Sequence, residues 1–167
     1  STVATTERRG KPRAFQRTGR YPRRMKIRTF RKRDRDAVVA LWEATSLARP
    51  WLNLHAEIRE KLRRDRELFI VATQCGAIIG SVMGAYDGRR GWVYHLAVAP
   101  ERQRQGIGNA LMAELEARMA RIGVIKVNLQ VRTDNAAVEA FYLGLGYADD
   151  RVTSYGKWLV APPVPKI

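Results

Sequence analysis

Residues 92–131, WVYHLAVAPERQRQGIGNALMAELEARMARIGVIKVNLQV, decide the fold of this chain. The stretch falls into three parts. Residues 92–98 form an apolar, β-rich run that stops at Ala99-Pro100. A polar segment, 101–105, leads to Gly106-Ile107-Gly108, which opens a long helical pattern. Its inner stripe is Ile107, Leu111, Leu115, Met119 and Ile122, and Gly123 closes it. Residues 126–131 then alternate Val127, Leu129 and Val131 with Asn128 and Gln130, the period of a strand. Strand, helix and strand at this spacing predict a right-handed crossover joining two parallel strands.

The flanking sequence extends this unit on both sides. Upstream, 26–30 reads as a short strand, and Asp34 is placed to cap a helix carrying Val38, Leu41 and Trp42. Pro50 interrupts the chain. Residues 56–66 read as a strongly charged helix with Ile58 and Leu62 as a thin apolar stripe. Two strand-like runs, 68–73 and 77–86, flank the turn Gln74-Cys75-Gly76 and predict an antiparallel hairpin, with Asp87-Gly88 as the next turn. Downstream, Asn135 begins a helix carrying Val138, Phe141, Tyr142 and Leu145 that stops at Gly144 to Gly146. A last hairpin, 147–150 with 152–159, is expected to complete the sheet.

Composition narrows the class. A chain of 167 residues that is 46% apolar has enough material for one core. A membrane-spanning helix needs about 20 apolar residues, and no run approaches that. The single cysteine, Cys75, rules out an internal disulfide and a cysteine-rich zinc site, and two histidines, His55 and His95, argue against a multi-histidine metal centre. The expectation is a soluble, cytoplasmic protein with no metal and no membrane partner. Of the net charge of +15, +7 lies in residues 1–25, which hold eight Lys and Arg against Glu7 alone. Residues 1–24 have no apolar periodicity and are read as a flexible basic extension. That extension is open to three readings: a tail made by upstream initiation before a natural start at Met25, a basic arm for nucleic acid, or a transit-like or engineered remnant. The folded domain is expected over 25–160, with a Pro-rich tail over 161–167. The remaining +8 favours an anionic ligand without requiring nucleic acid.

The loop Gln103-Arg104-Gln105-Gly106-Ile107-Gly108 stands between a strand and a helix start. Free amides at a helix N-terminus carry the positive end of the helix dipole and suit a phosphate, and Arg102 and Arg104 add charge. A Walker loop is excluded because Asn109 and Ala110 follow Gly108. A dinucleotide fingerprint is excluded because Leu111 stands where Gly or Ala is required. By itself, a pair of glycines equally suits a tight turn.

The full pattern resembles the acetyl-CoA signature Gln/Arg-x-x-Gly-x-Gly/Ala of the GNAT superfamily of N-acetyltransferases. The resemblance covers 26–159. Tyr94-His95-Leu96-Ala97-Val98-Ala99-Pro100 matches the superfamily's fourth strand. Asn135-Ala136-Ala137-Val138-Glu139-Ala140-Phe141-Tyr142, followed by Leu145-Gly146-Tyr147, matches its later N-x-x-A…Y-x-x-x-G-F/Y segment. Arg49-Pro50-Trp51 and Gly84-Ala85-Tyr86-Asp87-Gly88 are similar to a bacterial branch typified by the acetyltransferase YpeA.

The resemblance implies an α/β (α+β) domain with a mixed, mostly antiparallel sheet of about six to seven strands and about four flanking helices. A central parallel pair splays around the cofactor. It also implies acetyl-CoA as co-substrate and a primary amine, on a small molecule or a protein, as acceptor. The amides from Arg104 to Asn109, with Gln103, Gln105, Gly106, Ile107 and Gly108, would hold the pyrophosphate. Leu96, Ala97 and Val98 would take the pantetheine arm along a strand edge, and that edge, bulged or not, would polarise the thioester carbonyl. Asn135 would bond the arm. Tyr142 takes the general-acid position, beside its ordinary alternative as a packed helix aromatic.

The base is open on sequence grounds. Gln130 stands where ribosomal-protein N-terminal acetyltransferases carry a Glu, and a Gln takes up no proton at neutral pH. His95 is a candidate because a histidine's ordinary pKa near 6.5 suits the task, though a packed strand histidine is the plainer reading. Glu57 and Glu60 are further candidates, each otherwise a solvated helix charge. Trp51, Leu52, His55 and Tyr155 are candidates for shaping the acceptor site. Two other functions compete: a nucleic-acid-associated module using the basic arm and Arg59, Arg63, Arg64 and Arg66, and a catalytically idle acyl-CoA sensor. Monomer and homodimer both fit.

Overall fold

The computed structural model describes residues 24–49 and 51–160. Nearly all of the expected basic extension, Pro50 and the Pro-rich tail lie outside the described residues. Five strands form one sheet in the order β1-β2-β3-β4-β5: Met25–Thr29, Phe69–Gln74, Ala77–Tyr86, Gly91–Val98 and Val127–Asn128. The first four are antiparallel to their neighbours, and β5 runs parallel to β4. The helices are α1 (Arg35–Ala44), α2 (Leu54–Arg64), α3 (Ile107–Arg121) and α4 (Ala136–Gly144). The mixed sheet and the four helices agree with the expected class, and the crossover β4–α3–β5 is the one the sequence predicts.

Each face of the sheet has its own core. In β2, Phe69 and Val71 join Trp42 and Val38 of α1 and Ile58 of α2, while Ile70 and Ala72 join Leu111, Leu115 and Met119 of α3. Such alternation of apolar residues on both sides is what a strand covered on two faces requires. The helix α3 rides close to β3 because Gly84 has no side chain. A Cβ there would fall 2.5 Å from Leu115 and 2.6 Å from Met119, contacts no packed core tolerates.

Asp34 precedes α1 as expected but does not cap it through its side chain. Its carboxylate turns back to accept from the Arg31 amide at 2.7 Å and from both terminal nitrogens of Arg28 at 2.6 and 2.9 Å. Burial opposes that charge. The bonds from Arg28 and Arg31 and the nearby charge of Arg33 outweigh it, so Asp34 titrates below the usual carboxylate range. The charged helix begins earlier than predicted because Asn53 caps it, its side chain accepting from the Ala56 amide at 3.0 Å.

Three expectations fail around the end of the crossover. The strand expected over 126–131 is paired only as Val127–Asn128, through Gly91 with Val127 and Trp92 with Asn128. Beyond that point β4 and the following chain are not paired. The final hairpin is not part of the described sheet. Residues 147–158 form no ladder and are tied to the β5 segment by side chains, Lys126 to Asp150 at 2.6 Å and Gln130 to Ser154 at 2.7 Å. Ile122, expected on the inner stripe, is 52% exposed because α3 ends one residue earlier and Gly123 turns the chain at a φ of +85°. On α4, Val138 is exposed as well.

Candidate active site

The site is built where β4 loses its parallel neighbour. The Ala99 amide donates to Ile79 on β3 at 3.0 Å. Alternation along the strand therefore turns the backbone groups of Leu96 and Val98 away from β3, toward the gap left by the short β5. Gln103 reaches into this edge, its Nε2 donating to the Val98 carbonyl at 3.3 Å.

The N-terminus of α3 closes one end of the gap. Arg104 and Gly106 both have left-handed backbone, with φ of 61° and 77°, a form that glycine adopts freely and that curls successive amides into an anion-binding concavity. The first intrahelical bond is from Ala110 to Gly106 at 3.0 Å. Among the described residues the amides of 104–109 donate to no backbone acceptor. Arg102 and Arg104 form no ion pair there either. Free amides, the positive end of the α3 dipole and two uncommitted guanidinium groups make a donor set that fits a diphosphate.

The other wall of the gap is α4. Asn135 caps it, accepting from the Val138 amide at 3.3 Å, so its Oδ1 serves the helix and its amide nitrogen remains for other partners. A Cβ at Gly108 would lie 3.2 Å from the Phe141 ring and 3.8 Å from Val98. The α3 N-terminus, the β4 edge and α4 therefore converge at that glycine. Tyr142 is 8% exposed, packed edge-on against Phe141 and Tyr147 with ring centroids 5.1 and 5.6 Å away. Burial pushes its phenol up to about 12, which keeps it protonated at neutral pH. Its hydroxyl bonds to none of the described residues, yet it is not among the buried polar atoms left without a partner. The ring is enclosed, and the oxygen is not fully buried. The neighbouring Tyr147 hydroxyl donates to Glu116 at 2.8 Å.

His95 faces the other side of the sheet, as a consequence of a bulge. Ser81 opposes Ala97 and Met83 opposes Tyr94, so Val82 alone faces both His95 and Leu96. His95 has a φ of +48°. The extra residue reverses the face parity of β4: Val93 packs with α3, whereas Ala97 and Ala99 pack with α1 and α2. Tyr94 and His95, consecutive in sequence, therefore both line a cleft of about 400 Å³ beside α2. The His95 ring stacks on Trp42 with centroids 4.6 Å apart, and Nε2 lies 2.8 Å from Glu57 Oε2. Lys61, also on that cleft, bonds to the Gly84 carbonyl and to Asp65, and burial lowers its pKa.

Of the acceptor candidates, Trp51, Leu52 and His55 share a second cleft of about 440 Å³ at the α1–α2 junction, with Arg49 and Glu43. Tyr155, 91% exposed, is not among its lining residues. Glu60 pairs with Arg63 at 2.9 Å, as a solvated helix charge would. Sequence reasoning did not find Trp42 or Lys61 as neighbours of the site. Trp42 is legible only as a core residue of a helix, and a buried lysine in a helix this basic has no local signature.

A profile described as the Acetyltransferase (GNAT) family matches residues 30–147. Acetyltransferase SG1711 of Sodalis glossinidius is 44% identical over 137 residues, which cover 81% of this chain and 96% of the relative. Among solved structures, Ard1 from Thermoplasma volcanium superimposes with a TM-score of 0.69 at 29% identity, over 75% of this chain and 83% of that one. The ribosomal-protein-S18-alanine N-acetyltransferase of Escherichia coli does so with a TM-score of 0.63 at 27% identity, over 73% and 76%. Among the described residues no helix is long and apolar enough to cross a membrane, and no group of His, Cys, Asp and Glu is arranged to hold a metal ion.

Proposed function

The chain belongs to the acetyltransferase (GNAT) family; we propose that it moves the acetyl group of acetyl-CoA directly to a primary amine, with the diphosphate on the α3 N-terminus and the thioester in the β4 gap. The observation that carries this reading is the run of amides over 104–109 without a partner among the described residues, opening onto a strand edge that its parallel neighbour has left. Gln103, Arg104, Gln105, Gly106, Ile107, Gly108 and Asn109 form the cradle. Leu96, Ala97 and Val98 offer the edge to the amide-bearing arm of the coenzyme, as a sheet offers its edge to a peptide. A backbone amide of that edge meets the oxygen on which charge develops, and the free amide nitrogen of Asn135 bonds the arm.

His95 takes a proton from the acceptor ammonium. The freed lone pair forms the N–C bond, the C–S bond breaks, and the sulfur leaves with the electron pair. Tyr142 faces that sulfur. Burial raises the Tyr142 phenol to about 12, above an ordinary thiol, so full transfer of its proton to sulfur is uphill. Tyr142 therefore stabilises the leaving sulfur through its hydrogen bond, and its proton moves only as the second proton of the new amide nitrogen returns to the phenol oxygen. One proton, the one on His95, is released to solvent for each acetyl group transferred.

The acceptor is tested by following free thiol from acetyl-CoA with four amines: an alanyl tripeptide, free lysine, a linear diamine and an aminoglycoside. At least one is expected to release thiol in step with amide formation. Acetyl-CoA binding with no thiol release from any primary amine would reduce the protein to an acyl-CoA binder.

A further inference from the structure

The bulge in β4 does more than curve the strand. It brings the His95 side chain to the α2 face beside Tyr94, and α2 begins there with a carboxylate. Glu57 lies in the first turn of α2, its amide bonded to the Asn53 carbonyl at 3.0 Å. The Asn53 cap therefore fixes the helix start from which Glu57 reaches His95. The imidazole is fixed on its face by Trp42, whose own Nε1 donates to the buried Ser81 hydroxyl at 2.9 Å. Behind Trp42 the stack continues through Phe69 to Phe30 at centroid separations of 6.0 and 4.2 Å. The ring thus has one wall, one backbone setting and one polar partner.

We infer that Glu57 is the positioning residue of an acceptor-side Glu57–His95 pair, and that the amine approaches through the cleft between α2 and the β3–β4 hairpin. This rests on the acetyl-transfer reading. A carboxylate only accepts, so Nε2 carries the hydrogen, and the lone pair is left on Nδ1. The ammonium gives its proton to Nδ1, and Glu57 then faces an imidazolium, whose charge it stabilises without taking the proton itself. Most of the cleft's other charges are committed elsewhere. Lys61 is bound to Asp65 and Gly84, and Glu60 to Arg63, which leaves Arg64 and the Tyr94 phenol as the remaining polar groups. Glu57 is the one carboxylate among the described residues bonded to His95. The strained backbone of His95 belongs with this reading, since left-handed residues other than glycine persist where the surroundings hold them.

The test combines a resonance with a rate. The chain has two histidines, so the Nε2–H proton of His95 is identified in 15N-labelled protein by its loss in His95→Gln. A downfield, slowly exchanging Nε2–H signal is expected in the unmodified chain and absent in Glu57→Ala. Glu57→Ala is also expected to lower kcat about tenfold with the fastest amine of the panel, and Glu57→Asp to recover part of that loss. Acetyl-CoA affinity should be unchanged in both. An Nε2–H signal that survives in Glu57→Ala, or full turnover by His95→Gln, overturns the pair. If acetyl-CoA binds and no amine turns over, the acetyl-transfer reading fails instead, and the resonance still decides the Glu57–His95 contact.

Discussion

Tyr142→Phe should lower kcat by about 10²- to 10⁴-fold and leave acetyl-CoA affinity nearly unchanged, the effect of removing one proton donor from a transition state. The variant keeps the buried ring and its edge contacts with Phe141 and Tyr147. It removes one oxygen that bonds to none of the described residues, so no hydrogen bond within the described structure is lost and the melting temperature should hold. Steady-state kinetics at saturating acetyl-CoA, with isothermal titration of the coenzyme, separates the two quantities. A kcat within twofold of the parent would remove Tyr142 from the chemistry. A loss of affinity equal to the loss of rate would make it a packing residue of the arm.

The second large effect is on binding. Gly108 stands where the β4 edge, α3 and α4 meet, and even a Cβ there would press on Phe141 at 3.2 Å. Gly108→Leu extends a side chain into the space between Val98 and Phe141, where the coenzyme arm is proposed to run. The dissociation constant for acetyl-CoA is expected to rise at least about tenfold, or about 1.4 kcal/mol. The residual turnover at saturation should remain measurable because neither Tyr142 nor His95 is altered. An unchanged dissociation constant would mean that the arm takes another path.

These two residues were within reach of the sequence, and the reason is local. A strand, a glycine-bearing loop and a helix with a regular apolar stripe each declare themselves within a few residues, so the β4–α3–β5 crossover, the loop proposed as the cradle and the position of Tyr142 on α4 are legible. What the sequence did not carry depends on partners distant along the chain. Leu129 and Val131 alternate as well as Val127 does, yet pairing with β4 stops after Asn128. The 152–159 run has strand-like spacing, but outside the described sheet its Tyr155 and Leu159 are 91% exposed. The Glu57–His95 bond joins residues 38 apart, and no local spacing encodes it.

The central claim is that the opening amides of α3 receive the coenzyme's diphosphate. Backbone 15N–1H spectra recorded during titration with acetyl-CoA test it directly. The account predicts that the amides of 104–109 move furthest, downfield as they acquire phosphate oxygens, with Leu96 and Val98 next. If those six amides stay in place while resonances elsewhere respond, the diphosphate lies at another site and the mechanism built on this cradle is contradicted.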